Sequence, residues 1–302
     1  MDRRRARAGA LILAAGAAAG AAAPLGFPLR EARWTAPSAL PRSLSHEPPE
    51  CLRPPSSPAE ARAVAIGRTA FRTPLLLGGQ AARAGMSCAT CHRNGRGNPD
   101  FVFPGLSGAP GTADVTASLM SSHRGDGIFN PKPIPDLAGP PDRLKISRTA
   151  PGALETFIHG LVTEEFDGPE PSPEVLAAVA AYVRALRPGS CHGGDRPIRL
   201  ADRLAEVDSA VALARTSDGD ARLLLLAAAR STLGAIDERF SGLGADRAVL
   251  RAADAELGAI RLGRTGYARW DMTWPTHRRR LLRDEHLSLY SAVKVAAAFR
   301  TR

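Results

Sequence analysis

The chain lacks the motifs that most directly assign a chemistry. It contains no internal repeat, no P-loop, no glycine-rich dinucleotide-binding turn and no zinc-protease signature, so the functions those patterns report have no anchor here. Its uninterrupted small and apolar run, residues 9–23, is mostly alanine and falls short of the ~20 residues a membrane-spanning helix needs. Cysteine is scarce: Cys51, Cys88, Cys91 and Cys191 are the whole complement. Methionine is as scarce, with none between Met120 and Met272. Negative charge is in deficit, 30 Asp and Glu against 40 Lys and Arg, for a formal net charge of +10.

At the N terminus, Arg3, Arg4, Arg5 and Arg7 precede the 9–23 run, and Ala17-Ala18-Ala19 before Gly20 offers a small-residue cleavage site. Residues 1–23 therefore read as a secretory signal peptide. Export implies a compartment that permits disulfides. It also makes nucleic acid an unsuitable partner for the basic excess.

Two of the four cysteines form Cys88-Ala89-Thr90-Cys91-His92. A Cys-x-x-Cys pair alone can be a redox disulfide or half a zinc site. A zinc site needs further soft ligands at compatible spacing, and Cys51 and Cys191 are far off in sequence. A thioredoxin-like site needs a βαβ pattern, which is not seen. The histidine directly after the second cysteine is required by neither. It is required by covalent attachment of haem c, where two thiols add to the vinyl groups of one haem and the adjacent imidazole becomes the proximal iron ligand. Cys88, Cys91 and His92 are accordingly expected to hold one haem c. Cys51 and Cys191 are left either bridged or as two free thiols.

Along the mature chain, residues 24–57 are rich in Pro, Ser and Arg without an apolar period and read as a linker or wrapping segment. Ser57 or Pro58 opens a helix with Val64, Gly67, Arg68 and Phe71 at helical spacing, stopped by Pro74. Residues 94–141 are crowded with Gly, Pro, Asp and Asn, a loop length that suits wrapping a flat cofactor. A helix over 153–162 places Leu154, Phe157, Ile158 and Leu161 on one face. Another over 173–186 has Ser172 as N-cap, Pro173 in its first turn, and Leu176, Val179, Val183 and Leu186 as its stripe. Residues 195–302 carry helical periods at 200–211, 223–240 with Asp220 as cap candidate, 250–260 and 281–299. An antiparallel helical bundle is expected. Tyr267, Trp270 and Trp274 cluster near a connection, as core packing or as a contact with the first half.

The Gly67-x-x-x-Phe71 helix before the haem motif, and the helix carrying Leu176 and Ala181-Tyr182-Val183, resemble the crossed terminal helices of class I cytochromes c. Residues ~60–187 more narrowly resemble one haem domain of the bacterial di-haem cytochrome c peroxidase and methylamine-utilisation di-haem enzymes. The resemblance rests on Ile66-Gly67-Arg68, Ser87-Cys88, Cys91-His92, Pro133-Ile134-Pro135-Asp136-Leu137, Leu154-Glu155 with Phe157, and the run 176–183. It implies a class I cytochrome c-like haem domain over 58–190; with the α-helical bundle read from periodicity over 195–302, a mainly α chain is expected. The family has two haem motifs and this chain has one, so a two-haem relay cannot be built from it alone.

A sixth iron ligand separates an electron carrier from a site open to peroxide. His123 is the first candidate, His159 the second and Met120 the third, while Met86 lies too close to its own cysteines. Asp126 and Asn130 are read as turn builders, with Arg124 or Arg143 near a haem propionate. Glu164 and Glu165 are read as a solvated helix end, or else as an acid for peroxide cleavage. The expected function is periplasmic electron transfer with a redox partner protein; the alternative is peroxide reduction with electrons from a partner. The basic stretch 276–302 is read as a solvated helical face, with an acidic redox partner or anionic lipid as the other reading. Membrane association is expected only through that stretch or an uncleaved signal.

Overall fold

The computed structural model describes residues 27–116, 119–191 and 193–300; the expected signal peptide lies outside them. The main helices are α1 (Pro58–Arg72), α2 (Cys88–Cys91), α3 (Ala153–Gly160), α4 (Pro173–Ala185), α5 (Leu200–Arg215), α6 (Gly219–Arg239), α7 (Gly244–Arg261), α8 (Ala268–Asp284) and α9 (Ala292–Arg300). Strand is confined, among the described residues, to β1 (His46–Glu47), β2 (Thr112–Ala113), β3 (Lys132–Pro133) and β4 (Arg196–Pro197). β1 pairs antiparallel with β4, and β2 with β3. The expectation of a mainly α chain holds.

Both caps read from the sequence form. Ser57 accepts from the Glu60 amide at 3.1 Å and Ser172 from the Val175 amide at 3.4 Å, each followed by a proline in the first turn. α1 and α4 cross at Gly67, where a Cβ would lie 1.9 Å from the Ala178 carbonyl oxygen. Only glycine allows the backbones this close. Phe71 and Tyr182 fill the crossing, ring centroids 5.1 Å apart.

In the second half, α5, α6, α7 and α8 each pack on the next, burying Leu204, Val207, Leu226, Leu233, Leu257 and Ile260. The helix expected over 281–299 is instead two: α8 begins at Ala268, and the chain breaks before α9. Tyr267, Trp270 and Trp274 read as lying near a connection, yet both tryptophans are inside α8, which also contains Pro275. The lost backbone bond costs about 3 kcal/mol. It is offset by Trp270 and Trp274, stacked at 4.7 Å in the bundle core, so these tryptophans are core packing. Asp220 is not the cap: it lies in the first turn, behind the N-cap Asp218.

Residues 27–57 wrap rather than dangle. Leu29, Trp34, Leu44 and Cys51 are buried, Arg30 pairs with Glu238, and Thr35 bridges to Phe101. α1 also packs on α5 and α6, with Ile66 and Ala178 contributing to the bundle core. Where these parts meet, an ion-pair network joins Glu50, Arg68, Arg72, Arg203, Glu206 and Glu47. Tyr182 donates to Glu50 at 2.7 Å.

Candidate functional site

α2 is one capped turn. Thr90 Oγ1 accepts from the Ser87 amide at 3.0 Å and the Ser87 side chain receives the Thr90 amide, the reciprocal pair of a capping box. The chain leaves the helical region at His92 (φ −112°, ψ 73°) and reverses at Asn94 (φ 51°), which Arg72 holds through a 2.7 Å bond to Oδ1.

Cys88 and Cys91 are free and half-buried. Burial pushes both thiols up to about 12, so neither is a thiolate at neutral pH; a redox-active dithiol requires the opposite shift. Cys51 and Cys191 form a disulfide, Cα atoms 4.4 Å apart. The open choice is thus resolved as a bridge, and the extra thiolates a zinc site would draw on are consumed. No cluster of three His, Cys, Asp or Glu able to hold a metal ion occurs among the described residues.

His92 Nδ1 lies 3.1 Å from the Pro135 carbonyl oxygen. A carbonyl only accepts, so Nδ1 carries the proton and Nε2 keeps its lone pair. Nε2 has no hydrogen-bond partner among the described residues. Burial pushes the imidazole down to about 4, against smaller upward pulls from Pro135 and Asp136, so the ring is neutral over the physiological range. The Pro135 segment is itself held: Arg96 Nε donates to Asp136 at 2.7 Å, and the same guanidinium reaches the Cys51 and Cys191 sulfurs at 3.3 and 3.4 Å.

Around these residues the chain presents half-covered apolar surface. Cys88, Cys91, Phe103, Val115, Ile134, Leu137 and Ile146 are partly buried against a core holding Phe101, Met120, Leu154, Ile158 and Phe166. An oriented imidazole and two protonated thiols therefore stand together beside an apolar wall, the groups that covalent haem attachment would draw on.

The three residues expected from the sequence as a second ligand lie in different surroundings. Met120 is 2 % exposed, inside the same core as Cys88 and Cys91. His123 has 65 % of its side chain exposed and pairs with Asp167 at 2.9 Å. His159, 38 % exposed, pairs with Glu170 at 2.9 Å. The loop after Met120 is stapled down: Ser121 donates to the Glu164 carbonyl, the Ser122 amide donates to Asp167 at 2.8 Å and Arg124 pairs with Glu164.

Several sequence readings change here. Arg124 is engaged by Glu164, while Arg143 is exposed, with Asp142 at 3.9 Å. Asp126 does build a turn, accepting from the Ile128 amide at 2.8 Å. Glu164 is solvated, but Glu165, on a π-helical turn over Leu161–Glu165, is buried with Oε2 unpaired. Burial pushes its pKa up, against the pull of Arg124. Pro135 entered the sequence reading only as part of the resemblance, with no role at His92, because a backbone carbonyl looks alike everywhere in a chain. In the stretch 276–302, Arg278, Arg280 and Arg283 each pair with an aspartate.

No protein-family model, curated protein or solved structure matches this chain.

Proposed function

We propose that this chain is a mono-haem c-type cytochrome that transfers electrons in the bacterial periplasm, with haem c joined to Cys88 and Cys91 and His92 as its proximal ligand. One observation carries the reading: a half-buried, neutral imidazole directly after a Cys-x-x-Cys turn, its Nδ1 proton spent on the Pro135 carbonyl and its Nε2 lone pair unengaged. Such an outer hydrogen bond fixes the tautomer and orientation of a ligating histidine. Haem c supplies a one-electron iron couple when bound. The chain's part is to hold His92 against Pro135, to exclude water with the wall of Ile134, Leu137 and Ile146, and to present a second ligand. We take Met120 for that role over His123 and His159, since it alone of the three is buried in the apolar core, and a thioether raises haem potential. The Cys51–Cys191 disulfide suits an exported chain, and the resemblance to the di-haem family supports the cofactor. The electron donor and acceptor are redox partner proteins.

Glu165 favours a second reading, peroxide reduction with electrons supplied by a partner. A buried carboxyl with a raised pKa and an unpaired oxygen can hold the proton that cleavage of an O–O bond consumes.

The test is the optical spectrum of protein produced in a host that attaches haem c. One covalent haem per chain is expected, lost in the Cys88→Ala, Cys91→Ala double variant, with a low-spin reduced spectrum unaffected by peroxide. A chain that emerges without haem sinks the proposal. A high-spin ferric spectrum that changes rapidly with peroxide, and stops doing so in Glu165→Gln, replaces the carrier with the peroxidase.

A further inference from the structure

Arg148 is a buried cation without a counter-charge. It is 4 % exposed. Nη1 donates to the Leu186 carbonyl at 2.8 Å, and Nη2 donates to the carbonyls of Leu137 and Gly139. All three acceptors are neutral. Nε is buried with no partner. Arg239, the other buried arginine among the described residues, has Glu31 at 3.5 Å. The nearest acid to influence Arg148 is Asp136, but Arg96 already occupies that carboxylate. Burial, with Arg187 nearby, pushes the Arg148 pKa down against the weaker pull of Asp136. Arginine does not escape by deprotonating, and an unpaired buried charge costs several kcal/mol.

Its position says what would remove that cost. Leu137 and Gly139 continue the segment whose Pro135 carbonyl holds His92. Leu137 and Ile146 belong to the partly buried apolar wall that includes Cys88 and Cys91. Leu186, the third acceptor, packs its side chain over Gly95, three residues past His92. The unpaired cation therefore stands in the shell of the site that receives the cofactor, and the cofactor's own acidic groups are carboxylates.

We infer that Arg148 is the counter-charge for a haem propionate. A guanidinium with spare N–H groups binds carboxylate through short charge-assisted bonds. Its three carbonyl bonds hold it in place beforehand, so little conformational entropy is lost when the acid arrives. This rests on the haem reading above and adds an assignment that reading does not need.

The experiment compares midpoint potential against pH, from about pH 5 to 9, in haem-loaded wild type, Arg148→Gln and Arg148→Lys. Asp136, Arg96, Arg187 and the pair of Arg184 with Glu155, whose Arg184 donates to the Arg148 carbonyl at 3.1 Å, are unchanged in all three. The wild type is expected to show no carboxylate-linked step, because the guanidinium keeps the propionate ionised. Loss of an opposite charge raises the proton affinity of a carboxylate roughly 10- to 1,000-fold, so Arg148→Gln is expected to gain a pH-dependent slope on the acid side. Arg148→Lys is expected to remove most of it. Haem-loaded variants with the wild-type profile overturn the assignment and leave the haem reading standing. A carboxylate-linked slope already present in the wild type overturns it too, whether or not the variants fold. A wild-type chain without haem overturns the haem reading and this one with it.

Discussion

At the residue scale, the site divides into positions whose chemistry requires neighbours in sequence and positions that do not. In the proposed haem site, two thioethers and an adjacent imidazole would have to come from one short stretch, so Cys88, Cys91 and His92 can be picked out before any folding. The second iron ligand is under no such constraint. His123 and His159 are attractive as residue types, but each is turned to a surface carboxylate, while Met120 is sealed in the core. Met120→Ala is expected to convert a low-spin ferric haem to a high-spin one and to lower its potential, whereas His123→Ala leaves the spectrum unchanged. The reverse pattern would return His123 to the iron. Glu165 follows the same logic: next to the solvated Glu164 in sequence, it is separated from it by burial alone, because a π-helical turn sends adjacent side chains in different directions.

At the scale of elements, helix starts were legible because capping is local. Ser57 and Ser172, each before a proline, begin α1 and α4 where expected. Gly67 was legible as a close approach, and the structure gives it a magnitude: a Cβ would sit 1.9 Å from the Ala178 carbonyl oxygen, inside any van der Waals contact. That obstacle is backbone and cannot rotate away, so Gly67→Ala forces α1 and α4 apart. A loss of about 3 kcal/mol is expected by chemical denaturation, at the upper end for overpacking. A variant within about 0.5 kcal/mol of wild type would show that the crossing relaxes freely. The start of α8 was not legible, because its period was read only from 281 and the stacking of Trp270 on Trp274 that accompanies Pro275 inside the helix is a packing contact of the bundle.

At the scale of the whole molecule, the wrap at 27–57 and the ion-pair network bind the half that carries Cys88-x-x-Cys91-His92 to the bundle, while the disulfide closes the wrap onto that same half. Burial pushes Glu206 up, but Arg72, Arg203 and Arg68 outweigh it and hold the carboxyl at about 2, against an ordinary 4.5. Glu47 and Glu50 are held low in the same way, by Arg203 and by Arg72 respectively against their own burial. A depressed folded-state pKa contributes stability that is complete above the ordinary value and is lost as pH falls toward the folded one. The denaturation midpoint is therefore expected to hold steady from neutrality to about pH 5 in respect of these groups, then to fall. Glu206→Gln leaves Arg72 and Arg203 short of a partner. It is expected to cost about 3–5 kcal/mol at pH 7 and to flatten that acid limb; an acid limb as steep as in wild type would dissociate the network from the acid transition.

The sequence alone determined the Cys-x-x-Cys-His stretch on which the haem proposal rests, the mainly helical class, both proline-backed helix caps and the glycine at the crossing. Each is decided within one or two helical turns, where spacing and residue type carry the physics. Tertiary structure alone decided that Cys51 meets Cys191, that Pro135 orients His92, that Met120 rather than His123 is buried, and that Arg148 lacks a counter-charge. These depend on burial and on contacts between residues up to 140 positions apart, and a linear pattern holds no record of which distant groups share one desolvated space.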